Sequence, residues 1–278
     1  MSDRPSSAEA SLLSISIVTW RVDASVFAQV LRHLQAAVAL LARERAAAVH
    51  VSIVDNGDDV ALINELLLAS GLRSHADLVS SGKNVGYGRA HNLAIASTSA
   101  PYHLIMNPDV LVAEDALIRA VEYLEQHPNV VAVSPSATDG NGQTAHLCKR
   151  YPAVLDLALR GFAPRALRKL FSARLERYES RALSTTDKAA SVDLISGCFM
   201  FCRSDALKKA GGFSPAYFLY FEDFSLSLEL RKFGQLMYVP ACRIVHYGGH
   251  AGKKGVRHIT HFMSSAFKFY NQYGWKLF

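Results

Sequence analysis

Four short polar clusters in the first half of the chain carry residue types that can bind a phosphorylated ligand. Each cluster follows a run of apolar or β-branched residues that is typical of a strand. The clusters are Thr19 to Arg21, Asp55-Asn56, Gly82 to Arg89 and Asn107 to Asp109. Because ligands of open α/β sheets bind beyond the carboxyl ends of the strands, this placement predicts a site in the first half. The clusters do not by themselves identify the chemistry.

The glycine-rich cluster lets the backbone approach a ligand closely, and a helix that follows offers free N–H groups to a phosphate. Lys83 and Arg89 could add positive charge there. The cluster lacks the Gly-Lys-Ser/Thr ending of a P-loop, and a dinucleotide fingerprint would follow the first strand. Asp55-Asn56 could hydrogen-bond a ribose or a base, but together with Gly57 it is also an ordinary turn sequence.

Further acids and a histidine have residue types suited to metal binding or proton transfer. Asp109 follows an apolar strand, where a carboxylate could hold a divalent cation that bridges two phosphates, although the same residues could simply end the strand. Glu222 and Asp223 precede a predicted helix, which suits the helix dipole or a general base. His246 ends an apolar run and is a candidate metal ligand, although a single histidine is more often structural.

Composition and charge limit the class of protein. The chain has 278 residues, of which 50% are hydrophobic and 19% are charged, as in a folded globular protein. The opening MSDRPSSAEASLLS does not read as a signal peptide, and we see no run of roughly 18 apolar residues that would span a bilayer. We therefore expect a cytoplasmic protein, or one attached to the cytoplasmic face of a membrane.

The net charge of +6 is unevenly distributed along the chain. Segment 149–181 contains nine Lys and Arg against three Asp and Glu, and segment 249–278 contains five Lys and Arg and no acid. Apolar residues lie between these cations, which favours contact with an anionic membrane surface or a phosphorylated acceptor over a simple solvated face. We recognise no nucleic-acid-binding module, so we expect no nucleic-acid partner.

Strands alternate with helices through the first half, which predicts right-handed crossovers and a mostly parallel sheet. We predict strands over 14–20, 50–54, 77–80 and 102–106, and helices over 24–48, 61–69, 90–96 and 114–126. In the second half we predict strands over 192–202, 236–239 and 243–245, and helices over 224–233 and 258–273. Cys198 and Cys202, four residues apart, are expected on one face of their strand as buried core thiols rather than zinc ligands.

Seven segments in order resemble family 2 glycosyltransferases, most closely their bacterial rhamnosyltransferase-like branch. Each segment is weakly specific, but together they extend from about residue 14 to residue 250. They are SISIVTW, VSIVDNG, GKNVGYGRAHN, LIMNPDV, SGCFMFCRSDALKKAGGF, FLYFEDFSLSLELRKFG and VPACRIVHYGG. The resemblance implies one GT-A domain, with a Rossmann-like nucleotide-sugar-binding half over about 14–110, an acceptor-binding and catalytic half over about 111–250, and a C-terminal amphipathic helix within 251–278.

The resemblance also implies roles for individual residues in an inverting transfer at the anomeric carbon. Asp223 matches the catalytic base, with Glu222 beside it, and Asp109 and His246 match ligands of a divalent cation, Mg²⁺ or Mn²⁺. The residues implied in donor binding are Thr19, Arg21, Asp55, Asn56, Gly82, Lys83, Asn84, Gly86, Arg89 and Asn107. Asn107 replaces the first acid of the family's metal motif, which leaves fewer charges for the cation. Ser225 stands where the family often has a third acid after Glu222-Asp223.

The resemblance implies a dTDP- or UDP-sugar as donor, with dTDP-rhamnose preferred, and a bacterial cell-surface glycan or its lipid-linked precursor as acceptor. A sugar nucleotidyltransferase is the nearest alternative enzyme, but that class carries its glycine-rich loop directly after the first strand. Here the residues TWRVD stand at that position. A non-catalytic nucleotide- or glycan-binding protein of the same fold is a second alternative. The oligomeric state is not fixed by the sequence, and a homodimer stays open.

Overall fold

The structure is a computed structural model that describes residues 11–248 and 256–278. The opening MSDRPSSAEA and residues 249–255, where the implied C-terminal segment begins, lie outside the described residues. The strands of the first half are β1 (Leu13–Thr19), β2 (Val49–Asp55), β3 (Ala76–Ser80), β4 (Tyr102–Met106) and β5 (Val110–Val112). The helices of this half are α1 (Ala24–Arg45), α2 (Val60–Ser70), α3 (Tyr87–Ser97) and α4 (Ala116–Gln126).

The second half adds the strands β6 (Val130–Thr138), β7 (Thr144–Ala145), β8 (Cys148–Lys149), β9 (Ala190–Ser191), β10 (Leu194–Ile195), β11 (Phe199–Arg203) and β12 (Gln235–His246). Its helices are α5 (Val154–Phe162), α6 (Arg165–Leu170), α7 (Ser172–Tyr178), α8 (Ser204–Lys209), α9 (Glu222–Leu230) and α10 (Val256–Tyr273). Each helix predicted from the sequence is present, with boundaries moved by a few residues.

One twisted sheet joins both halves in the order β3-β2-β1-β4-β11-β6-β12-β5. Along this path β11 runs antiparallel to β4 and β6, and β5 runs antiparallel to β12, while the other strands share one direction. The sheet is therefore mostly parallel along this path, as the sequence predicts. Its shared direction brings the carboxyl ends of β1, β2, β3 and β4 to one edge, where the four polar clusters meet.

Helices cover both faces of the sheet. α1, α2 and α4 pack on one face, and α3, α8 and α9 pack on the other. α1 is the one helix in the described part of the chain whose length and hydropathy would suffice to cross a membrane. Its apolar side chains lie in the core, where Phe27, Leu31 and Leu34 are fully buried. Asp23 caps this helix by accepting hydrogen bonds from two backbone N–H groups.

Two predictions about the second half are wrong in detail. The strand predicted over 192–202 is split into β10 and β11, so Cys198 precedes β11 and the alternation of a strand does not apply to it. Cys198 and Cys202 are both buried and free, but they pack in the cores on opposite sides of the sheet. The two strands predicted over 236–239 and 243–245 form the single strand β12, whose register shifts between Val239 and Arg243.

A buried polar cluster ties α3 to β1 and β4. The hydroxyl oxygen of Ser16 lies 2.7 Å from Nδ1 of His91 and 2.9 Å from Nε2 of His103, and all three side chains are almost fully buried. The second ring nitrogen of each histidine has no hydrogen-bond partner within the described residues. Burial lowers the pKa of His103 to about 3 and that of His91 well below its ordinary value.

We predict that the protein loses stability as the pH falls below about 6.5. Above that pH the histidines are neutral in both the folded and the unfolded chain, whereas below it only the unfolded chain takes up protons freely. For His103 alone the loss is about 2 kcal/mol at pH 5. Denaturant unfolding at pH 7.5 and pH 5 measures this change in the free energy of unfolding. His103→Gln should show a smaller pH dependence than the wild type, and the exposed His33→Gln should not; equal pH dependence in all three proteins would contradict the assignment.

Candidate active site

Asp55 closes the turn after β2 from a fully buried position. Its carboxylate accepts hydrogen bonds from the backbone N–H of Gly57 at 3.0 Å and of Asp59 at 3.1 Å. Thr19, at the end of β1, donates to the same carboxylate at 3.4 Å. The turn function that the sequence allowed is thus present, and Thr19 and Asp55 hold the ends of β1 and β2 together at the site edge.

Asn56 holds the glycine-rich loop in place. Its side-chain oxygen accepts hydrogen bonds from the N–H of Val85 at 2.9 Å and the hydroxyl of Ser81 at 3.0 Å. Its side-chain nitrogen donates to Asn84 at 3.1 Å. Asn56 therefore positions this loop through its side chain, while Gly82, Lys83 and Asn84 of the loop are exposed and accessible to a ligand.

The glycine-rich loop also packs against the segment that leads to Glu222 and Asp223. Gly86 has φ +92° and ψ 164°, a conformation that essentially only glycine adopts, and a side chain there would meet the carbonyl oxygen of Phe218 at 2.5 Å. The N–H of Tyr87 donates to this carbonyl at 3.1 Å. Arg89 donates to the carbonyl of Pro215 at 2.5 and 3.1 Å, so its guanidinium fastens the two segments together.

An exposed aromatic side chain that the sequence analysis did not select stands beside this loop edge. Trp20 follows β1 and is 49% exposed, and the guanidinium of Arg21 lies 5.1 Å from the centre of its ring. Arg21 has φ +53°, which turns the chain sharply after β1. A flat exposed ring at this edge can stack on a nucleobase. The sequence predicts Trp20 as the last residue of the first strand, whereas β1 ends at Thr19, so the ring of Trp20 lies beyond the sheet.

Asp109 and His246 meet although they are far apart in the sequence. Pairing between β5 and β12 sets His246 opposite Val110, and the carboxylate Oδ1 of Asp109 lies 3.4 Å from Nε2 of His246. Both atoms are buried and neither has a hydrogen-bond partner within the described residues. Burial lowers the pKa of His246, but the Asp109 carboxylate and the Cys198 thiol outweigh it and raise that pKa to about 10.

This pair fits a divalent cation. The carboxylate oxygen of Asp109 is a suitable ligand for Mn²⁺ or Mg²⁺, and the imidazole nitrogen of His246 suits Mn²⁺ better than Mg²⁺, which prefers oxygen ligands. No cluster of three or more His, Cys, Asp or Glu suited to a metal occurs in residues 11–248 or 256–278. The protein therefore supplies few ligands here, as expected where substrate phosphates and water complete the coordination.

Asp223 and Glu222 differ in their hydrogen bonds. Asp223 accepts the N–H of Gly197 at 3.0 Å and its neighbour Phe224 at 2.9 Å, whereas Oε2 of Glu222 is buried without a hydrogen-bond partner. Burial raises both pKa values, and the Asp223 charge helps to raise the pKa of Glu222 to about 8. Hydrogen bonds from the backbone offset part of this rise at Asp223, whereas a pKa of about 8 leaves the Glu222 carboxyl group mostly protonated at neutral pH.

Tyr87 and Gly197, which were not selected from the sequence, connect the parts of the site. The hydroxyl of Tyr87 donates to the carbonyl of Gly197 at 2.7 Å. Burial raises the pKa of Tyr87 well above its usual value, and Cys198, Glu222, Asp223 and Asp109 raise it further. Because Gly197 also donates its N–H to Asp223, Tyr87 and the implied base meet at the same glycine.

Ser225 binds the C-terminal helix. Its hydroxyl lies 2.8 Å from the hydroxyl of Tyr273 in α10, which in turn donates to Glu229 at 2.9 Å. Ser225 is 1% exposed. An acid at this position would be buried beside Glu229, so the serine fits the contact between α9 and α10.

One cavity, of about 520 Å³, lies beside β5, β6 and β12 rather than at the strand ends. None of the residues selected from the sequence lines it. The candidate active site lies instead at the edge that is formed by the four strand ends and the start of α9.

A mostly parallel sheet with acids at the end of β4 and the start of α9 is the architecture of GT-A glycosyltransferases, and solved structures of that class match it. A mannosyltransferase of Pyrobaculum calidifontis in complex with GDP-Man and Mn²⁺ matches with a TM-score of 0.61 at 17% identity, over 95% of this chain and 65% of that one. GalNAc-T7 with UDP, GalNAc and Mn²⁺ matches with a TM-score of 0.62 at 13% identity, over 84% of this chain and 42% of that one. The chain has the predicted GT-A fold.

A family model described as Glycosyl transferase family 2 matches residues 18–208, and the chain belongs to that family. An N-acetylglucosaminyl-diphospho-decaprenol L-rhamnosyltransferase of Mycobacterium tuberculosis is 25% identical over 209 residues, which cover 69% of this chain and 66% of the relative. The rhamnosyltransferase WbbL of Escherichia coli is 27% identical over 233 residues, which cover 80% of this chain and 79% of the relative. The match to the mycobacterial relative thus spans just under two thirds of its length.

We predict that Gly86→Ala destabilises the protein more than Gly82→Ala does. Both glycines have positive φ, but a side chain at position 86 meets a backbone carbonyl at 2.5 Å and one at position 82 meets nothing within 4 Å. Gly82→Ala should cost about 1–2 kcal/mol from its left-handed conformation alone. Denaturant unfolding compares the two variants, and equal midpoints would contradict the close packing between the loop and Phe218.

Proposed function

We propose that the chain is an inverting glycosyltransferase that transfers rhamnose from dTDP-rhamnose to a hydroxyl group of a lipid-linked bacterial glycan. The observation that carries this proposal is the buried carboxylate of Asp223, which accepts the N–H groups of Gly197 and Phe224 beside the hydroxyl of Tyr87 that bonds the Gly197 carbonyl. Family membership and the two relatives named as rhamnosyltransferases support the reaction and the sugar. The name of the mycobacterial relative supports a diphosphate-linked prenol as the carrier of the acceptor.

The donor nucleotide lies along the edge formed by β1, β2 and the glycine-rich loop. Trp20 stacks on the base, and Lys83 reaches the diphosphate from its exposed position. Thr19, Asp55 and Asn56 support this binding by fixing the turn and the loop. Their hydrogen bonds are already used within the protein, so they shape the donor site more than they contact the donor.

Asp223 acts as the general base. Its carboxylate takes the proton from the acceptor hydroxyl while that oxygen attacks the anomeric carbon, and the bond to the nucleoside diphosphate breaks on the opposite face. Glu222, which keeps its proton beside Asp223, leaves the pair with a single negative charge. Asp109 and His246 would hold a divalent cation, which neutralises the charge that develops on the leaving diphosphate. Asn107 adds no charge at this position.

The protein works at the cytoplasmic membrane surface, where a lipid-linked acceptor is found. Support comes from one face of α10, on which Ile259, Met263 and Phe267 follow each other at intervals of four and are 48%, 54% and 58% exposed. Lys268 adjoins this face, and Lys276 follows the helix. An apolar stripe with neighbouring cations is typical of a helix that lies on an anionic bilayer.

We predict that Asp223→Asn lowers kcat by about 10²–10⁴-fold, because the amide cannot accept the proton, while the affinity for dTDP-rhamnose stays within twofold. Rapid-quench assays measure the transfer, and calorimetry measures donor binding. Asp205→Asn, the same change at an acid of α8 whose side chain is 67% exposed, serves as the matched control and should keep most of the activity. Near-normal turnover of Asp223→Asn would show that another group is the base.

Among dTDP-rhamnose, UDP-glucose, UDP-galactose and GDP-mannose, we predict the tightest binding for dTDP-rhamnose, strengthened by Mg²⁺ or Mn²⁺. Asp109→Asn should remove most of this strengthening and should weaken Mn²⁺ binding measured by electron paramagnetic resonance without donor, because it removes the anionic ligand. Folded protein that binds none of the four donors would argue for a non-catalytic protein of this fold or for another donor. Binding unaffected by metal would contradict the cation site.

A further inference from the structure

A second cavity, of about 330 Å³, lies among α5, α6 and α7 and is lined mainly by positive charge. Five of its lining residues are basic, and they are Arg160, Arg165, Arg168, Lys169 and Arg181. Glu179 is the one acid among them. We call this cavity the basic pocket. A concave site with such an excess of cations is suited to a multiply charged anion.

The charges of the basic pocket are only partly compensated. Glu179 is paired with Arg160 at 3.3 Å and with Arg181 at 2.7 Å. Arg165, Arg168 and Lys169 form no ion pair with the described residues. Like charges spaced three and four residues apart on a short helix repel each other and destabilise α6. An anion bound between these side chains would relieve the repulsion.

The basic pocket lies towards the catalytic pair. Lys149 is 7% exposed and its ammonium donates to the carbonyl of His146. Burial, together with the neighbouring guanidinium of Arg160, lowers the pKa of Lys149 to about 8. Lys149 lies on β8, which pairs with β10, and a hydrogen bond joins β10 to α9, the helix that begins with Glu222 and Asp223. Lys149, which neighbours Arg160 of the pocket, therefore lies on a strand that is connected to the helix of the proposed base.

Apolar side chains are exposed on α5 and α6, two of the helices that form the basic pocket. Phe162 is 66% exposed at the end of α5, and Leu167 and Leu170 of α6 are 41% and 78% exposed. Single exposed apolar residues are ordinary, but three of them beside a cationic cavity suit a ligand with a phosphate group and a hydrocarbon chain.

We propose that the basic pocket binds the diphosphate of a prenyl-diphosphate-linked acceptor, and that Phe162, Leu167 and Leu170 contact the first part of its prenyl chain. This inference rests on the proposed function, since it assumes a lipid-linked acceptor. Binding there places the acceptor sugar between the pocket and Asp223, on the Lys149 side of the base. The headgroup of an ordinary anionic phospholipid offers the same phosphate chemistry, and the test separates the two sources.

The test compares two triple variants that remove the same charge. Arg165→Gln, Arg168→Gln and Lys169→Gln change the basic pocket, and a matched control carries Arg43→Gln, Lys209→Gln and Lys232→Gln on other surfaces. Transfer is measured in detergent with an N-acetylglucosaminyl diphosphate of a short prenol and with octyl N-acetylglucosaminide, which lacks the diphosphate. We expect the pocket variant to raise KM for the first acceptor at least tenfold and to leave KM for the second and for the donor unchanged.

Two further measurements, on wild type and both variants, separate the possible failures. Calorimetry in EDTA measures the binding of inorganic diphosphate without metal and without the transfer reaction. We expect the pocket variant to lose this binding and the control to keep it. If the pocket variant loses diphosphate binding but the wild type transfers sugar from none of the donors, the proposed function is wrong and the diphosphate site is supported. If transfer proceeds with an unchanged KM for the diphosphate acceptor, the proposal is wrong. If, in that case, the pocket variant floats with phosphatidylglycerol vesicles less than the wild type and the control do, the pocket binds phospholipid headgroups instead.

Discussion

The turn from Ser196 to Cys198 is the constraint on which the candidate site depends. The carbonyl of Cys198 accepts the N–H of Asn107 at 2.9 Å, the N–H of Gly197 donates to Asp223, and the carbonyl of Gly197 accepts the hydroxyl of Tyr87. Three backbone groups thus join the end of β4, the start of α3 and the start of α9. A side chain at Gly197 would approach the Cβ of Asp223 to 3.2 Å, so the position is crowded as well as bonded.

Asp223 follows two residues with a strained backbone, and the C-terminal helix α10 packs against them. Tyr220 and Phe221, directly before α9, both have positive φ, at +69° and +64°. Bulky residues in this conformation cost about 1–3 kcal/mol each, so neighbouring contacts must hold them. The ring of Phe221 packs against Phe262 and Phe269 of α10, with ring centres 5.3 and 5.2 Å apart. α10 therefore directly stabilises the turn that precedes Asp223, and the contact of Ser225 with Tyr273 continues along the same interface.

The sequence predicts that the four polar clusters lie at one edge of the sheet, because strand ends are local features. Each polar cluster follows its own strand, and parallel pairing then brings the clusters together without further information. The pairing of Asp109 with His246 depends on β5 and β12, which are distant in the chain, so only the resemblance could indicate it. Hydrogen bonds to backbone carbonyls leave no pattern in the sequence at all. For that reason Tyr87 and Gly197 were missed, and the hold of Arg89 on Pro215 was not foreseen.

The division of charge between the two halves follows from the proposed reaction. A transfer from a nucleotide diphosphate to a diphosphate-linked acceptor brings two strongly anionic groups into one site, where they repel each other. At the donor edge, Asp109 and His246 are suited to hold a cation. On the acceptor side, the positive charge comes from side chains of the basic segment 149–181, above all Arg165, Arg168 and Lys169. Separate counter-charges for each diphosphate are what the proposed reaction requires if both substrates are to bind at the same time.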